Sequence, residues 1–163
     1  MIAYLDASDL LVLAAAVTGG DLVVRDLGLL DSAAHRPRAT VLGVEAYDTL
    51  WLKAAALLDS IVRTRPLIEG NWRLGWVAAV TLCDMNGWWI DADEDDALEL
   101  VREVGRGNVG VPEMAARLGS GRSRKRTTSR TRQAHHESRG RCPWLDLECT
   151  PGPTVDGVTY AIA

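Results

Sequence analysis

The chain has 163 residues, of which 47% are apolar and 25% are charged, and its net charge is −4. This length suits one well-buried domain, and the composition is that of an ordinary globular protein, which excludes a disordered or collagen-like chain. The longest apolar stretches, residues 10–17 and 77–83, fall far short of the roughly 18 residues of a membrane span, and no secretory signal follows Met1. We therefore expect a cytoplasmic protein with no membrane partner.

Charge is distributed unevenly along the chain. Residues 1–118 hold ten lysines and arginines against eighteen aspartates and glutamates, whereas residues 119–163 hold eight against four. The second segment has few apolar residues before Trp144, so it cannot bury enough surface to offset the entropy of ordering. The sequence predicts a folded domain over residues 1–118 and a basic, largely disordered tail over residues 119–163.

The first half of the domain combines helical apolar spacing with capping residues before each segment and glycine or proline after it. This pattern predicts helices over residues 10–17, 26–34 and 50–62, with Asp6 or Ser8 capping the first and Thr49 the third. Residues 40–47 carry β-branched side chains around Gly43. They predict a small hairpin, or flap, or else an ordered loop.

The second half of the domain begins with a loop over residues 63–70. A helix over residues 71–85 follows, and it is predicted to be central because it is apolar around most of its circumference. Asp93 caps a further helix that runs to residue 104, and Pro112 opens a last short one that reaches residue 118. The fold class is therefore all-α, a compact bundle of five to six helices with a small flap.

The core must be filled mainly by leucine, valine and alanine, because the chain has six tryptophans, three tyrosines and no phenylalanine. Its expected bulky elements are Trp51, Trp76, Trp88 and Trp89. The three cysteines lack the spacing of a disulfide framework, which indicates reduced thiols. Cys83, on an apolar helix, is expected to be a small buried hydrophobe.

Residues 69–73 carry the chemistry that we expect of the chain. A Gly-Asn pair that enters a helix leaves main-chain N–H groups and the positive end of the helix dipole facing an anion. Arg73, one turn into the helix, can add a forked contact to phosphate oxygens, and Glu69 can hold Mg²⁺ against them. For Gly70 and Asn71 alone, an ordinary helix cap is the alternative interpretation.

A longer string supports the phosphate interpretation. Residues 65–73, RPLIEGNWR, resemble the His-Pro-Phe-x-Asp/Glu-Gly/Ala-Asn-x-Arg signature of the Fic/Doc superfamily, in an intact register. The similarity to its death-on-curing (Doc) branch continues over residues 25–33, 36–40, 53–58, 74–76 and 86–87. It therefore covers most of the first 118 residues, and nothing beyond residue 118 shows it.

The resemblance implies a helical Fic fold and the toxin half of a bacterial type II toxin–antitoxin module, with a cognate antitoxin as partner. It implies a protein phosphotransferase or nucleotidyltransferase that moves phosphate or AMP from ATP or another nucleoside triphosphate, with Mg²⁺, to a hydroxyl of a target protein. Elongation factor Tu is the target that Doc-type members suggest.

Site residues follow from the matching motif positions. Glu69 corresponds to the metal-binding acid, Gly70 and Asn71 to the anion-binding turn, and Arg73 to the arginine that contacts phosphate. Residues 40–47 correspond to the flap that aligns the target peptide. Trp72 departs from many Doc-type motifs, which have a lysine there, and the loss of that cation weakens charge stabilisation.

Arg65 is the main departure from the signature, because it stands where the family has the histidine that acts as general base. An arginine stays protonated and cannot accept the proton of the attacking hydroxyl. None of the three histidines, His35, His135 and His136, lies in the loop. General acid–base help is typically worth about 10²- to 10⁴-fold, so we expect a catalytically impaired toxin.

Several alternatives remain open. The chain can be a catalytically inert protein that binds a nucleotide or a partner, or one in which another base replaces the histidine. The tail can bind nucleic acid through a basic cluster, although a solvated tail is the plainer interpretation. That cluster consists of Arg122, Arg124, Lys125, Arg126, Arg130 and Arg132.

Overall fold

A computed structural model of the chain describes residues 1–120 in full and, beyond them, the main chain of residues 124–125, 150–155 and 158–162. Most of the tail predicted over residues 119–163 therefore lies outside the described residues, as do His135, His136, Cys142 and Cys149. The same holds for most of the basic cluster to which nucleic-acid binding was assigned.

Six helices make up the domain, which confirms the all-α class. They are α1 (Ala7–Val17), α2 (Leu27–His35), α3 (Leu50–Thr64), α4 (Asn71–Met85), α5 (Glu94–Arg106) and α6 (Val111–Ser120). A 3₁₀ turn over Arg36–Arg38 follows α2. The longest helices, α3 and α4, have 15 residues each, and no helix in the described part of the chain is long and apolar enough to cross a bilayer.

Strands are short and antiparallel. The predicted flap is a hairpin of β1 (Thr40–Val41) and β2 (Val44–Glu45). Further along, β3 (Trp88–Trp89) pairs with β4 (Arg124–Lys125), and β5 (Thr150–Val155) pairs with β6 (Val158–Ile162).

Helix boundaries follow from local capping. Asp6 and Asp9 form a reciprocal capping box at the start of α1, with both N–H to carboxylate distances at 2.9 Å. The carboxylate of Asp26 accepts from the first turn of α2, and Thr49 and Asp93 cap α3 and α5 in the same way. Helix α3 runs two residues beyond its predicted end because the left-handed backbone that stops it lies at Arg65.

The central helix is α3, whereas the sequence pattern assigned that place to residues 71–85. All residues from 53 to 62 are buried in α3, whereas α4 leaves Trp76, Val77 and Val80 only partly covered. The two helices approach closely at Gly75, where a Cβ atom would lie 2.8 Å from Cγ2 of Val62. The chain has no space for a side chain there, so the crossing of α3 and α4 depends on glycine.

Three of the four tryptophans expected in the core pack against it. Trp51 and Trp88 meet edge to face with ring centroids 5.6 Å apart, and Trp76 is partly buried. Trp89 is 50% exposed, so its assignment to the core is wrong. Successive residues of a strand point to opposite sides, and in the two-residue strand β3 only Trp88 turns inward.

Cys83 is fully buried, as expected. Burial, with a smaller contribution from the charge of Asp84, raises the pKa of its thiol to about 12. The side chain therefore stays a neutral packing element at physiological pH.

Candidate functional site

The loop that precedes α4 begins at Arg65, which has left-handed backbone angles (φ 50°, ψ 65°). Its N–H donates to the carbonyl of Ile61 at 3.0 Å and so closes the last turn of α3. Few residues other than glycine adopt this conformation, and a following proline disfavours helical angles further. The chain thus reverses direction at the first motif position, and the side chain of Arg65 is exposed.

A short segment before α2 pairs with the loop. The carbonyl of Pro66 accepts from the N–H of Arg25 at 2.8 Å and of Asp26 at 3.1 Å. On the other side of an isolated bridge between Val24 and Leu67, the N–H of Ile68 donates to the carbonyl of Val23 at 3.0 Å. The local sequence of this segment carried no signal for a partner some forty positions away.

The side chain of Arg25 also holds the loop. Its Nε donates to the carbonyl of Arg65 at 2.7 Å, and its Nη2 donates to the carbonyl of Thr64. Both acceptors are carbonyls at the end of α3, which lack partners inside the helix. Sequence reasoning placed Arg25 only within the stretch that resembles the family.

Asn71 closes the other end of the loop. Its Oδ1 accepts from the N–H of Leu67 and its Nδ2 donates to the carbonyl of the same residue, both at 2.9 Å. The side chain is 7% exposed, and both its oxygen and its nitrogen are engaged with Leu67. The main-chain N–H of Asn71 is the group that lies at the open start of α4.

Gly70 is the residue from which α4 starts, and it also has a left-handed backbone (φ 81°). A Cβ atom there would lie 3.0 Å from Cγ2 of Thr18, so space as well as conformation demands glycine. Within residues 1–120 no side chain caps this helix. The first main-chain bond joins the N–H of Leu74 to the carbonyl of Gly70, which leaves the N–H groups of residues 71–73 unused in the helix.

Charged side chains of both signs surround this open helix start. Arg65, Glu69 and Arg73 are all exposed, and none of the side-chain hydrogen bonds or ion pairs within residues 1–120 uses them. The structure thus brings the five residues singled out in the sequence into one loop and the first turn of one helix. Such an arrangement can bind an anion through main-chain N–H groups and a guanidinium, with a carboxylate beside it for a cation.

Trp72 directs its side chain toward α5. Its indole lies against α5, with ring atoms 3.4 Å from the place where a Cβ of Gly105 would stand. The residue is 39% exposed. Trp72 therefore fills the space between α4 and α5 at a motif position where many relatives have a cation.

His35 does not join the site. It ends α2, where its Nδ1 lies 3.0 Å from the carbonyl of Asp31 and 3.5 Å from the carboxylate of that residue. Among the described residues, no histidine therefore lies in the loop that carries Arg65.

The flap is tied to the central helix by a buried lysine. Lys53 on α3 is 1% exposed, and its Nζ donates to Oε2 of Glu45 at 3.0 Å and to the carbonyl of Pro37 at 3.4 Å. Burial lowers the pKa of Lys53, but hydrogen bonds to Glu45 and Tyr4 outweigh it, so the net shift is upward. The ammonium therefore stays charged and holds the flap by Glu45 of β2.

A second buried ionic group lies further along α3. Asp59 pairs with Nη1 of Arg36 at 2.7 Å and with Nε of Arg63 one turn later. Arg36 also donates to the hydroxyl of Tyr47 at 3.2 Å, and Arg63 donates to the carbonyl of Val109 at 3.0 Å. This cluster joins the end of the flap segment, the 3₁₀ turn, α3 and the loop before α6.

Burial at this cluster lowers the pKa of Arg36, yet hydrogen bonds to Tyr47 and Asp59 and the charge of Asp59 raise it overall. The pairing of Asp59 with two arginines from different elements had no local signal in the sequence.

Comparison with known proteins places the loop within a wider match. The model of the Fic/DOC family matches residues 4–83. A curated protein, the Toxin Doc of Mycolicibacterium smegmatis, is 47% identical over 120 residues, which cover 72% of this chain and 92% of that protein.

Proposed function

The chain belongs to the Fic/DOC family, and from that premise we propose that it is the toxin half of a bacterial toxin–antitoxin module whose catalysis is impaired at Arg65. In this proposal it binds a nucleoside triphosphate, ATP in the first instance, together with Mg²⁺. The group transferred is phosphate or AMP, and the acceptor is a hydroxyl of a target protein such as elongation factor Tu. A cognate antitoxin is the expected partner.

One observation carries the proposal, namely the uncapped start of α4. The N–H groups of residues 71–73 have no partner in the helix, and the dipole of 15 residues adds positive potential there. Arg73 stands exposed in the same turn. Phosphate oxygens are the anions that such a combination of main-chain N–H groups and guanidinium binds best.

The residues also fit a divalent cation beside the phosphates. Glu69 adjoins Gly70, and its carboxylate is exposed and forms no ion pair with a basic side chain of the described residues. Mg²⁺ prefers hard oxygen ligands of this kind. When bound, the ion neutralises charge on the phosphates and favours their departure or transfer. Glu69 would hold it, and Arg73 would orient the phosphate chain.

Arg65 limits the reaction in this proposal. Nucleophilic attack by a hydroxyl is assisted by a base near the bond that forms, and a guanidinium has no lone pair for that role. The geometry of the loop is complete without a histidine, since Arg25 and Asn71 hold it through main-chain groups. Nucleotide binding is therefore retained and proton removal is lost.

The flap is the proposed docking place for the target segment, as its resemblance to the family's flap suggests. Its tip exposes Val41, Leu42 and Val44, and Lys53 anchors it to α3 through Glu45. An incoming peptide in an extended conformation can pair with the exposed main chain of such a strand. The anchor keeps the flap in one place relative to α3, from whose end Arg65 projects.

Isothermal titration calorimetry of the full chain with ATP and Mg²⁺ tests the binding site. We expect saturable binding that Arg73→Ala weakens by about tenfold or more. Arg117→Ala is the matched control, because Arg117 is an exposed helical arginine that pairs with Glu113 on α6. Absence of binding, or equal binding by the Arg73 and Arg117 variants, would contradict the proposal.

The second candidate function is an inert nucleotide-binding or partner-binding protein. It is favoured by the same intact loop, and by the added guanidinium of Arg65, which is a further donor beside the site. The two functions differ in what the Arg65→His variant does. Tight binding of ATP that Arg73→Ala removes, with no transfer to any protein after the change to histidine, would favour the inert function.

A further inference from the structure

We propose that Arg25 is a positioning residue, which sets the direction in which the side chain at position 65 leaves the loop. The inference rests on the proposed function, because position 65 is where the family has its general base. Arg25 lies in the segment before α2, forty residues before the motif loop, and the sequence assigned it no role in the site.

Arg25 binds carbonyl groups at the end of α3. Helix ends leave several carbonyls without partners, and a basic side chain is the natural group to satisfy them. Arg25 reaches two successive ones, those of Thr64 and Arg65, through Nη2 and Nε respectively. A guanidinium suits this task because its donors lie in one plane at fixed angles, whereas the three donors of an ammonium radiate from a single nitrogen.

The backbone of Arg65 has an unfavourable conformation that Arg25 holds in place. Its φ of 50° is unfavourable for a residue with a Cβ, and the proline that follows disfavours helical angles at this position. Such a conformation persists only where its surroundings determine it. Arg25 does so twice, with its side chain on the carbonyl of Arg65 and with its N–H on the carbonyl of Pro66 at 2.8 Å.

Different groups hold position 65 and the proposed nucleotide site at the start of α4. The backbone angles of a residue fix the direction of its Cα–Cβ bond, so the bonds from Arg25 determine where any side chain at position 65 points. The side chain of Arg25 is itself engaged with the two carbonyls. The helix start at residues 70–73 is held by other groups, the carboxamide of Asn71 among them.

The experiment is made in the full chain with Arg65→His as background, and it measures transfer of label from ATP. Arg25→Gln is expected to lower kcat by about tenfold or more, because small misplacements of a reacting group are costly. KM for ATP should stay within about twofold of the background, since in this background the side chain at position 65 acts on the attacking hydroxyl and residues 70–73 bind the nucleotide. Arg25→Lys, which keeps the charge but lacks the planar fork of donors, should recover part of the loss.

Arg117→Gln serves as the matched control and should change neither parameter. An unchanged kcat in Arg25→Gln would overturn the proposal. A rise in KM that accounts for the whole loss would also overturn it, because it would show a general disturbance of the loop. No recovery with lysine would do the same if the thermal midpoints of the two variants agree.

A second measurement does not depend on activity. Hydrogen exchange of the Arg65 N–H, which donates to the carbonyl of Ile61, should be faster by about tenfold in Arg25→Gln than in the unaltered chain, while exchange in the middle of α4 stays the same. Equal rates at Arg65 would overturn the positioning role. If Arg65→His transfers nothing while this exchange result holds, the proposed transferase function fails and the role of Arg25 in holding the loop stands.

Discussion

The carboxamide of Asn71 binds both main-chain groups of Leu67, accepting from its N–H and donating to its carbonyl at 2.9 Å each. A loop closed in this manner needs no side chain from residues 68–70 to keep its shape. Glu69 and the main-chain N–H groups that follow it are left available to a ligand. This division between groups that hold the loop and groups that face outward underlies the predictions that follow.

Replacing Asn71 should destabilise the loop. Asn71→Ala leaves the N–H and the carbonyl of Leu67 without partners in a buried place, which costs about 2–4 kcal/mol of unfolding free energy. Asn71→Asp keeps the acceptor but sets a carboxylate against the carbonyl of Leu67, and it should be at least as harmful. Urea unfolding measures both. A loss below about 0.5 kcal/mol in Asn71→Ala would contradict the assignment.

Gly70 should resist substitution more strongly than a glycine of the same backbone conformation in open space. Gly70 and Gly87 have φ of 81° and 82°, but only at Gly70 does a Cβ meet another atom, Cγ2 of Thr18 at 3.0 Å. We expect Gly87→Ala to cost about 1 kcal/mol and Gly70→Ala about 2 kcal/mol. Thermal or urea unfolding gives the comparison.

The Thr18 contact can be isolated by a double-mutant cycle. Thr18→Ser removes the methyl group and keeps the hydroxyl that donates to the carbonyl of Ala14 at 2.9 Å. In the Thr18→Ser background, Gly70→Ala should reduce the free energy of unfolding by only as much as Gly87→Ala does. If the effects of the two changes simply add, the contact with Thr18 is not what makes Gly70 sensitive.

Asp59 should be the most sensitive ionic group on α3. Its carboxyl is 7% exposed, and the arginines that flank it, Arg36 and Arg63, are 32% and 41% exposed. Asp59→Asn leaves two guanidinium groups without their counter-charge, and we expect a loss of about 2 kcal/mol after allowing for solvent screening. Glu113→Gln, which breaks an exposed pair with Arg117, should cost less than about 0.5 kcal/mol.

Chemical denaturation of these two variants at low and at moderate salt provides the measurement. The loss in Asp59→Asn should persist when salt is added, because the carboxylate is enclosed, whereas the small effect of Glu113→Gln should fade. Equal losses in the two variants would show that the buried cluster does not stabilise the fold.

Stability should fall at alkaline pH in a manner that depends on Cys83. Burial raises the pKa of its thiol from an ordinary 9.0 to about 12, so over that range the unfolded chain loses the proton first. The contribution of the protonated thiol to the free energy of unfolding is fully present below about pH 9 and declines as the pH rises toward 12. Between about pH 8 and about pH 10.5 we expect the unaltered chain to lose about 2 kcal/mol more than Cys83→Ala does.

Urea unfolding at several pH values measures that difference. The pKa of Lys53 is also raised, so its contribution to stability likewise falls at alkaline pH. That fall is the same in the unaltered chain and in Cys83→Ala. The difference between them therefore reports Cys83. Parallel declines in the two proteins would contradict the burial of an uncharged thiol.

Most of the fold was predictable because its determinants are local. Thr49 and Asp93 cap α3 and α5 as predicted, through side-chain bonds to the first turn, and the predicted bounds of α4 are the observed ones. What could not be predicted depends on contacts between distant residues. The enclosure of α3 results from packing on several sides, and the exposure of Trp89 depends on which face of a two-residue strand turns inward.

The candidate site divides in the same way. Its five residues all lie within residues 65–73, so spacing and resemblance were enough to place them together. The groups that hold them come from elsewhere: Arg25 and Val23 pair with the loop across about forty residues, and Thr18 fixes the space at Gly70. Neither residue type nor periodicity announces such contacts. Asn71 was expected in the anion-binding turn through its main-chain N–H, and the contact of its side chain with Leu67 had no signal in the sequence.

The most direct test of the account is label transfer by the unaltered chain and by Arg65→His, side by side, in a bacterial extract. ATP labelled at the α-phosphate detects transfer of AMP, and ATP labelled at the γ-phosphate detects transfer of phosphate. We predict that the histidine variant labels a protein about 10²-fold faster or more, in keeping with the gain from a general base. Equal labelling by the two proteins would contradict the claim that Arg65 impairs the reaction.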